Sequence, residues 1–134
     1  MILPKEEGRF VLRTDASDFA IGAMLFQEQE EKLHPIACAS RKLVVAEKNY
    51  PTIEKEFLAI RWGVEKFSSY LYGVEFTIQT DHAPLRAWEN IKTSTGRITK
   101  WALLLQPYRF KIEAIPGEEN HAADFLSRNV EADD

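Results

Sequence analysis

Alternation of apolar and polar residues predicts three strands, and two short apolar runs predict two more. The alternating segments are FVLRTD from residue 10, VEFTIQTD from residue 74 and YRFKIEAI from residue 108. The apolar runs are AIGAMLFQ from residue 20 and HPIACAS from residue 34, separated by the polar EQEEKL. The segments that begin at residues 10, 20 and 34 follow one another closely along the chain. We therefore predict that they form an antiparallel three-stranded meander over residues 9–40.

Helical spacing dominates the middle of the chain. Apolar residues recur at steps of four, three, four, three and four, at Ile53, Phe57, Ile60, Val64, Phe67 and Leu71. This stripe predicts one continuous helix, with Pro51 in its first turn and Gly73 just past its end. Three shorter helices are predicted in APLRAWENI from residue 83, GRITKWALLLQ from residue 96 and NHAADFLSRN from residue 120.

The predicted elements follow the order β-β-β-α-β-α-α-β-α, without internal repeats. A helix between the third and fourth strands implies a crossover connection, so we expect a mixed sheet that carries helices. At 134 residues the chain has room for one substantial core. We therefore predict a single α/β domain over residues 1–134.

The composition, 45% hydrophobic and 28% charged, is ordinary for a soluble globular protein. No apolar run approaches the roughly 20 residues of a membrane span, and no signal-peptide pattern opens the chain. The single Cys38 suits a reducing compartment, and its place in the run PIACAS predicts a buried core thiol. We expect no membrane partner and a cytoplasmic location.

The formal net charge of −4 is distributed unevenly. Between residues 86 and 111 the only acid is Glu89, against six cations, which are Arg86, Lys92, Arg97, Lys100, Arg109 and Lys111. A basic segment on an acidic body is compatible with a polyanionic partner. Cations on helix faces that are exposed only to solvent would give the same charge pattern. Charge alone therefore does not decide between a polyanionic partner and an ordinary solvated surface.

Four carboxylates are candidates for chemistry. Asp15 and Asp81 each follow the pattern apolar-x-apolar-x-Thr at the end of a predicted strand, and would lie side by side if those strands were parallel neighbours. Glu56 borders the buried helix stripe, whereas Glu54 is predicted to face solvent, and Asp124 lies in the apolar turn AADFLS. Turn, cap or surface roles remain the alternative for each residue taken alone.

Converging carboxylates need a countercharge. Two of them ~4 Å apart repel by roughly 4 kcal/mol at an effective dielectric constant of ~20. Oxygen ligands without a Cys or His cluster select hard cations such as Mg²⁺ or Mn²⁺. Two such ions held by carboxylates form the clamp used in phosphoryl displacement.

Six motifs in register span residues 9–128, nearly the whole chain. They are TDAS with IGAML, HPIACASRKL, AEKNYPTIEKEFLAI, FTIQTDHAPL, RITKWALLLQPYRFKI and IPGEENHAADFLSR. With these motifs the sequence resembles the ribonuclease H domain of reverse transcriptases from gypsy-type LTR retrotransposons. The resemblance implies the ribonuclease H-like fold, a mixed five-stranded sheet flanked by helices.

The resemblance also implies an active site of four acids, which map onto Asp15, Glu56, Asp81 and Asp124 and hold two Mg²⁺ ions, with Mn²⁺ able to substitute. The first aspartate would bridge both ions, and the last would hold the ion that activates water. Glu56 matches the family glutamate because it immediately precedes FLAI. Glu56 and Asp81 would hold the ion beside the leaving oxygen.

The implied reaction is endonucleolytic hydrolysis of the RNA strand of an RNA–DNA hybrid, giving 5′-phosphate and 3′-hydroxyl ends. Candidate substrate contacts are Ser17, Asn120, Arg86, Lys92, Arg97 and Lys100. The resemblance further implies a polymerase domain in a parent polyprotein and a place in a virus-like particle. Residues 1–8 would then be a linker remnant, and residues 129–134 form an acidic tail.

One departure bears on activity. Cellular ribonucleases H carry a loop histidine before the last catalytic aspartate, but here the loop reads PGEEN, in which Glu118 or Glu119 would substitute in part. The alternative is therefore a weakly active or inactive domain that binds hybrids or acts as a scaffold. An integrase or another nuclease of the same superfamily is a third interpretation, but no integrase-like zinc ligands accompany the motifs.

Overall fold

A computed structural model describes residues 8–90 and 96–115 of the chain. Its strands are β1 (Phe10–Ala16), β2 (Ala20–Gln29), β3 (Lys32–Lys42), β4 (Glu75–Thr80) and β5 (Arg109–Ala114). Its helices are α1 (Val45–Lys48), α2 (Thr52–Lys66), α3 (Ser68–Leu71), α4 (His82–Glu89) and α5 (Gly96–Leu105). The five predicted strands are confirmed, whereas the helix predicted over residues 120–129 lies outside the described residues.

The strands form one mixed sheet in the order β3-β2-β1-β4-β5. The meander β1-β2-β3 is antiparallel, as predicted, and β4 and β5 are parallel to β1. Arg13 of β1 pairs with Gln79 of β4. The carboxyl ends of these two neighbouring strands therefore reach the same edge of the sheet, where the functional candidates Asp15 and Asp81 lie.

Helix α2 packs across β1 and β2 and supplies the centre of the core. Phe57, Ile60 and Val64 from its predicted stripe are fully buried. Gly63 permits this packing, because a Cβ atom at this position would lie 3.1 Å from the Cβ of Ala23. Among the residues that the structure describes, no helix is long and apolar enough to cross a membrane.

The long helix is interrupted near its end, which corrects one prediction. α2 ends at Lys66, and Phe67 adopts φ −106° and ψ 24° before the short α3 begins. Phe67 and Leu71 remain buried, so the apolar stripe persists across the break. Gly73 has a φ of +85° just past α3, as expected for a residue that ends a helical segment.

The prediction of a buried Cys38 thiol is wrong, because this cysteine is exposed. It belongs to β3, which lies at the end of the strand order, whereas α2 packs on β1 and β2. The apolar run PIACAS reflects a strand that is only partly covered: Ile36 is buried, but Ala37 and Ala39 are half-buried.

Candidate active site

The repeated Thr-Asp pair has a structural explanation in the register of β1 and β4. Thr14 and Thr80 are both buried, and the hydroxyl of Thr14 donates a hydrogen bond to that of Thr80 across 3.4 Å. Each threonine directly precedes one of the two aspartates, Asp15 and Asp81. The buried pair thus joins the two strands immediately before the carboxylates.

Asp15 and Asp81 differ in their local setting. Asp15 is still part of β1, is half-buried and pairs with Gly22 of β2. Asp81 follows the last residue of β4, is exposed and occupies the N-terminal cap position of α4. The structure therefore places both aspartates at one edge of the sheet, one on its central strand and one in the adjacent strand-to-helix connection.

Glu56 approaches this edge from α2. Its carboxyl group is hydrogen-bonded to that of Asp81 and is partly buried. Burial, and secondly the negative charge and hydrogen bond of Asp81, raise the pKa of Glu56 from 4.5 to about 7. The charge of Asp81 disfavours a second negative charge beside it, so Glu56 keeps its proton to a higher pH than an ordinary glutamate.

Two facing carboxyls fit a hard divalent cation, since oxygen ligands of negative charge are what Mg²⁺ and Mn²⁺ prefer. Within residues 8–90 and 96–115, no three His, Cys, Asp or Glu side chains are grouped closely enough to hold a metal ion. Glu56 and Asp81 are in contact with each other, and Asp15 lies on the neighbouring strand β1. Asp124, the fourth predicted ligand, lies outside the described residues.

Glu54 was predicted to face solvent, and this prediction is wrong. Its side chain is 4% exposed and forms an ion pair and hydrogen bond with Arg97 of α5. The guanidinium of Arg97 also lies 4.1 Å from the centre of the Tyr50 ring. The beginning of α5 therefore covers the face of α2 that the apolar spacing predicted to be exposed to solvent. Of the two acids on α2, Glu56 faces the site and Glu54 faces α5.

The predicted substrate contacts occupy different settings. Ser17 closes the turn after β1, since its hydroxyl accepts a hydrogen bond from the main-chain N–H of Ala20 at 3.2 Å. Arg86 and Lys100 are exposed on α4 and α5, and Arg97 is paired with Glu54. Lys92 and Asn120 lie outside the described residues.

A polar row that the sequence patterns did not reveal crosses three strands beside the aspartates. Arg13 donates to the side-chain oxygen of Gln79 at 2.7 Å, and Gln79 donates to Glu113 at 3.4 Å. Arg13 and Asp15 are two residues apart on β1 and therefore lie on the same face of the sheet, and Gln79 is two residues before Asp81. The sequence feature that could have indicated this row is the polar residue two positions before each aspartate.

The raised pKa of Glu56 predicts a pH-dependent stability. The folded state binds a proton at Glu56 more tightly than the unfolded chain, so this group costs stability as pH rises from 4.5 through about 7. A pKa change of this size corresponds to about 3 kcal/mol, and partial solvent screening reduces it to about 1–2 kcal/mol. At pH 8 without divalent metal, we expect Glu56→Gln to be more stable than the parent by that amount.

Urea unfolding in a chelator at pH 5, 6, 7 and 8 measures this effect. The advantage of Glu56→Gln should grow between pH 5 and pH 8, whereas Glu75→Gln, at the opposite end of β4 from Asp81, should gain none. A difference between Glu56→Gln and the parent that is the same at all four pH values would contradict the assigned carboxyl pair.

The order of strands, the helix across the sheet and the acids at the sheet edge define a protein of the ribonuclease H-like class. RNase H1 from the halophilic archaeon Halobacterium salinarum NRC-1 has the same fold, with a TM-score of 0.66 and 12% identity over 95% of this chain and 98% of that one. LC11-RNase H1, whose structure contains an RNA/DNA hybrid, gives a TM-score of 0.67 at 16% identity, over 88% of this chain and 93% of that one.

Sequence comparison identifies the family. Residues 5–108 match the model of the RNase H-like domain found in reverse transcriptase, and the chain belongs to this family. It is 48% identical over 126 residues to the retrovirus-related Pol polyprotein from transposon 297 of Drosophila melanogaster. Identity to the Pol polyprotein from transposon gypsy of the same organism is 42% over 120 residues.

These two alignments cover 94% and 89% of this chain but only 12% and 11% of the polyproteins. The chain thus spans about a tenth of the length of the curated relatives it matches. The resemblance to gypsy-type elements that the six motifs indicated is confirmed.

Proposed function

We propose that this domain is a metal-dependent endonuclease that hydrolyses the RNA strand of RNA–DNA hybrids during retroelement reverse transcription. The observation that carries the proposal is the contact of Glu56 with Asp81 beside Asp15, in a chain of the reverse-transcriptase RNase H-like family. Ordinary surface acids avoid one another, whereas these share a hydrogen bond at the cost of a raised pKa.

Glu56 and Asp81, which are in contact, would hold the metal. Asp15 would have to move toward them when an ion binds, because the described carboxyls do not form a group of three. Asp124, from outside the described residues, would complete the set. Two bound Mg²⁺ ions would supply electrostatic stabilisation of both the attacking and the leaving oxygen of an in-line displacement. Glu56 would give up its proton when a divalent cation is held there, because the positive charge would offset the repulsion between the two carboxylates. Thr14 and Thr80 keep the strands of the two aspartates in register.

Substrate recognition is proposed to combine phosphate contacts with reading of the RNA 2′-hydroxyl groups, which line the wide minor groove of a hybrid. Arg86 and Lys100 are exposed and available for phosphates, as Lys92 would be. Arg97 serves first to pair Glu54, so its contribution to binding is expected to be smaller. Ser17 and Asn120 are proposed to lie near the scissile strand.

The relatives are Pol polyproteins, which supports a parent protein that joins this domain to a polymerase. We propose that the domain acts in that context, in cytoplasmic virus-like particles. A hybrid made by the polymerase would then be the substrate of the same chain.

The direct test is cleavage of an end-labelled RNA strand, annealed either to DNA or to RNA, and of a DNA duplex of the same sequence. We expect cleavage of the hybrid alone, in Mg²⁺ or Mn²⁺ but not in a chelator, with 5′-phosphate and 3′-hydroxyl products. Steeply salt-dependent hybrid binding without turnover in either metal would instead favour the binding or scaffold alternative.

A further inference from the structure

Lys55, the residue before Glu56 on α2, has a nearly buried side chain that reaches the turn between β1 and β2. It is 9% exposed, and its Nζ donates to the main-chain oxygen of Asp18 at 3.5 Å. The carboxylate of Asp18 is 3.8 Å away and almost fully solvated. Burying an ammonium costs several kcal/mol unless its partners are close and well placed, so this contact is a poor source of stability.

The turn that Lys55 contacts begins two residues after Asp15. Its other hydrogen bonds fix its own shape and join it to the end of β3. The N–H of Ser17 donates to the carbonyl of Ala20 at 2.8 Å, and the N–H of Leu43 donates to the carbonyl of Phe19 at 2.7 Å. The hydrogen bond from Lys55 to the Asp18 carbonyl connects this turn to α2.

Consecutive residues of an α-helix point about 100° apart. On α2 this rotation sends Glu56 to Asp81 and Lys55 to the turn that follows Asp15. One rigid helix therefore contacts both strand ends that carry the aspartates. A hollow of about 140 Å³ between the turn and the first residues of α2 is lined by Ala16, Ser17, Asp18, Thr52 and Lys55.

We propose that Lys55 is a positioning residue for the site: by holding the Asp18 carbonyl, it fixes Asp15 relative to the Glu56–Asp81 pair. This inference rests on the proposed nuclease function. Lys55 itself would touch neither substrate nor reacting atoms. It acts on the geometry of the metal ligands, and for displaced catalytic groups an error of ~1 Å can cost ~100-fold in rate.

The test compares the parent with Lys55→Met, which keeps the apolar stem and removes the ammonium. Lys66→Met is the matched control, because Lys66 is exposed at the other end of α2, roughly 16 Å away at about 1.5 Å per residue. Four quantities are measured: Mn²⁺ affinity by calorimetry, amide hydrogen exchange of residues 16–20 by mass spectrometry, and kcat and KM on a hybrid.

For Lys55→Met we expect about tenfold weaker Mn²⁺ binding, about tenfold faster exchange in the turn and about tenfold lower kcat, with KM changed less than about twofold. Lys66→Met should match the parent in all of them. Lys55→Gln, whose shorter side chain does not reach as far, is measured in parallel and should change the same quantities in the same direction. A folding defect in one variant then leaves the other to decide.

Unchanged Mn²⁺ affinity and unchanged exchange in the turn would overturn the inference. A raised KM with normal kcat would also overturn it, because Lys55 would then be a substrate contact. If the parent itself does not cleave hybrids, the proposed function fails, and the metal-binding and exchange measurements still decide the role of Lys55.

Discussion

Asp15→Asn should abolish metal-dependent cleavage of hybrid RNA while the protein stays folded. Asp15 lies one residue before the end of β1, the central strand of the sheet, and it is the proposed bridge between two ions. Loss of one metal-binding carboxylate removes several kcal/mol of transition-state stabilisation, and about 4 kcal/mol corresponds to a loss on the order of 10³-fold in rate. Single-turnover cleavage of a labelled hybrid measures the effect.

Glu75→Gln is the control for this substitution. Glu75 is an exposed carboxylate in the same sheet, at the far end of β4 from Asp81, so its removal tests whether loss of any carboxylate from the sheet matters. Circular dichroism spectra of both variants should match that of the parent. An Asp15→Asn protein that cleaves as fast as the parent would show that the acids at this edge of the sheet are not the active site.

Of the substitutions considered, Phe57→Ala should lower the free energy of unfolding most, by about 3–5 kcal/mol. Phe57 is fully buried, and its ring stacks with Trp88 of α4 at 6.5 Å and with Trp101 of α5 at 6.4 Å between centroids. Truncation leaves a cavity where three helices meet, and these rings cannot collapse into it without shifting the helices. Urea unfolding followed by fluorescence measures the change in the free energy of unfolding.

Phe57→Ala should also impair the site, because Phe57 directly follows Glu56 and Trp88 belongs to the helix that Asp81 caps.

Leu103→Ala is the control for the stability measurement. It removes an apolar side chain of α5 that is 57% exposed, and should lower the free energy of unfolding by less than about 0.5 kcal/mol. If the two substitutions destabilised the protein equally, the packing described for α2, α4 and α5 would be wrong.

Local patterns were sufficient to predict the strands because each follows a period of two or forms a short apolar run. The adjacency of Asp15 and Asp81 followed from one further condition, that their strands be parallel neighbours, and the pairing of Arg13 with Gln79 meets it. The break in the long helix at Phe67 could not be predicted, since the apolar spacing continues through it.

Long-range contacts explain what the sequence did not reveal. Whether Glu54 faces water depends on where α5 begins, and Arg97 reaches it from 43 residues away along the chain. The exposure of Cys38 depends on which strands α2 covers. The Thr14–Thr80 hydrogen bond likewise requires the register of two strands 66 residues apart. None of these follows from local periodicity.

The most direct measurement is anomalous diffraction from crystals of the parent protein soaked in Mn²⁺ at pH 8. We predict two manganese peaks at the carboxyl ends of β1 and β4, one in contact with Glu56 and Asp81 and both in contact with Asp15. Peaks found only elsewhere on the protein, or no peaks under conditions in which it cleaves a hybrid, would contradict the proposed site.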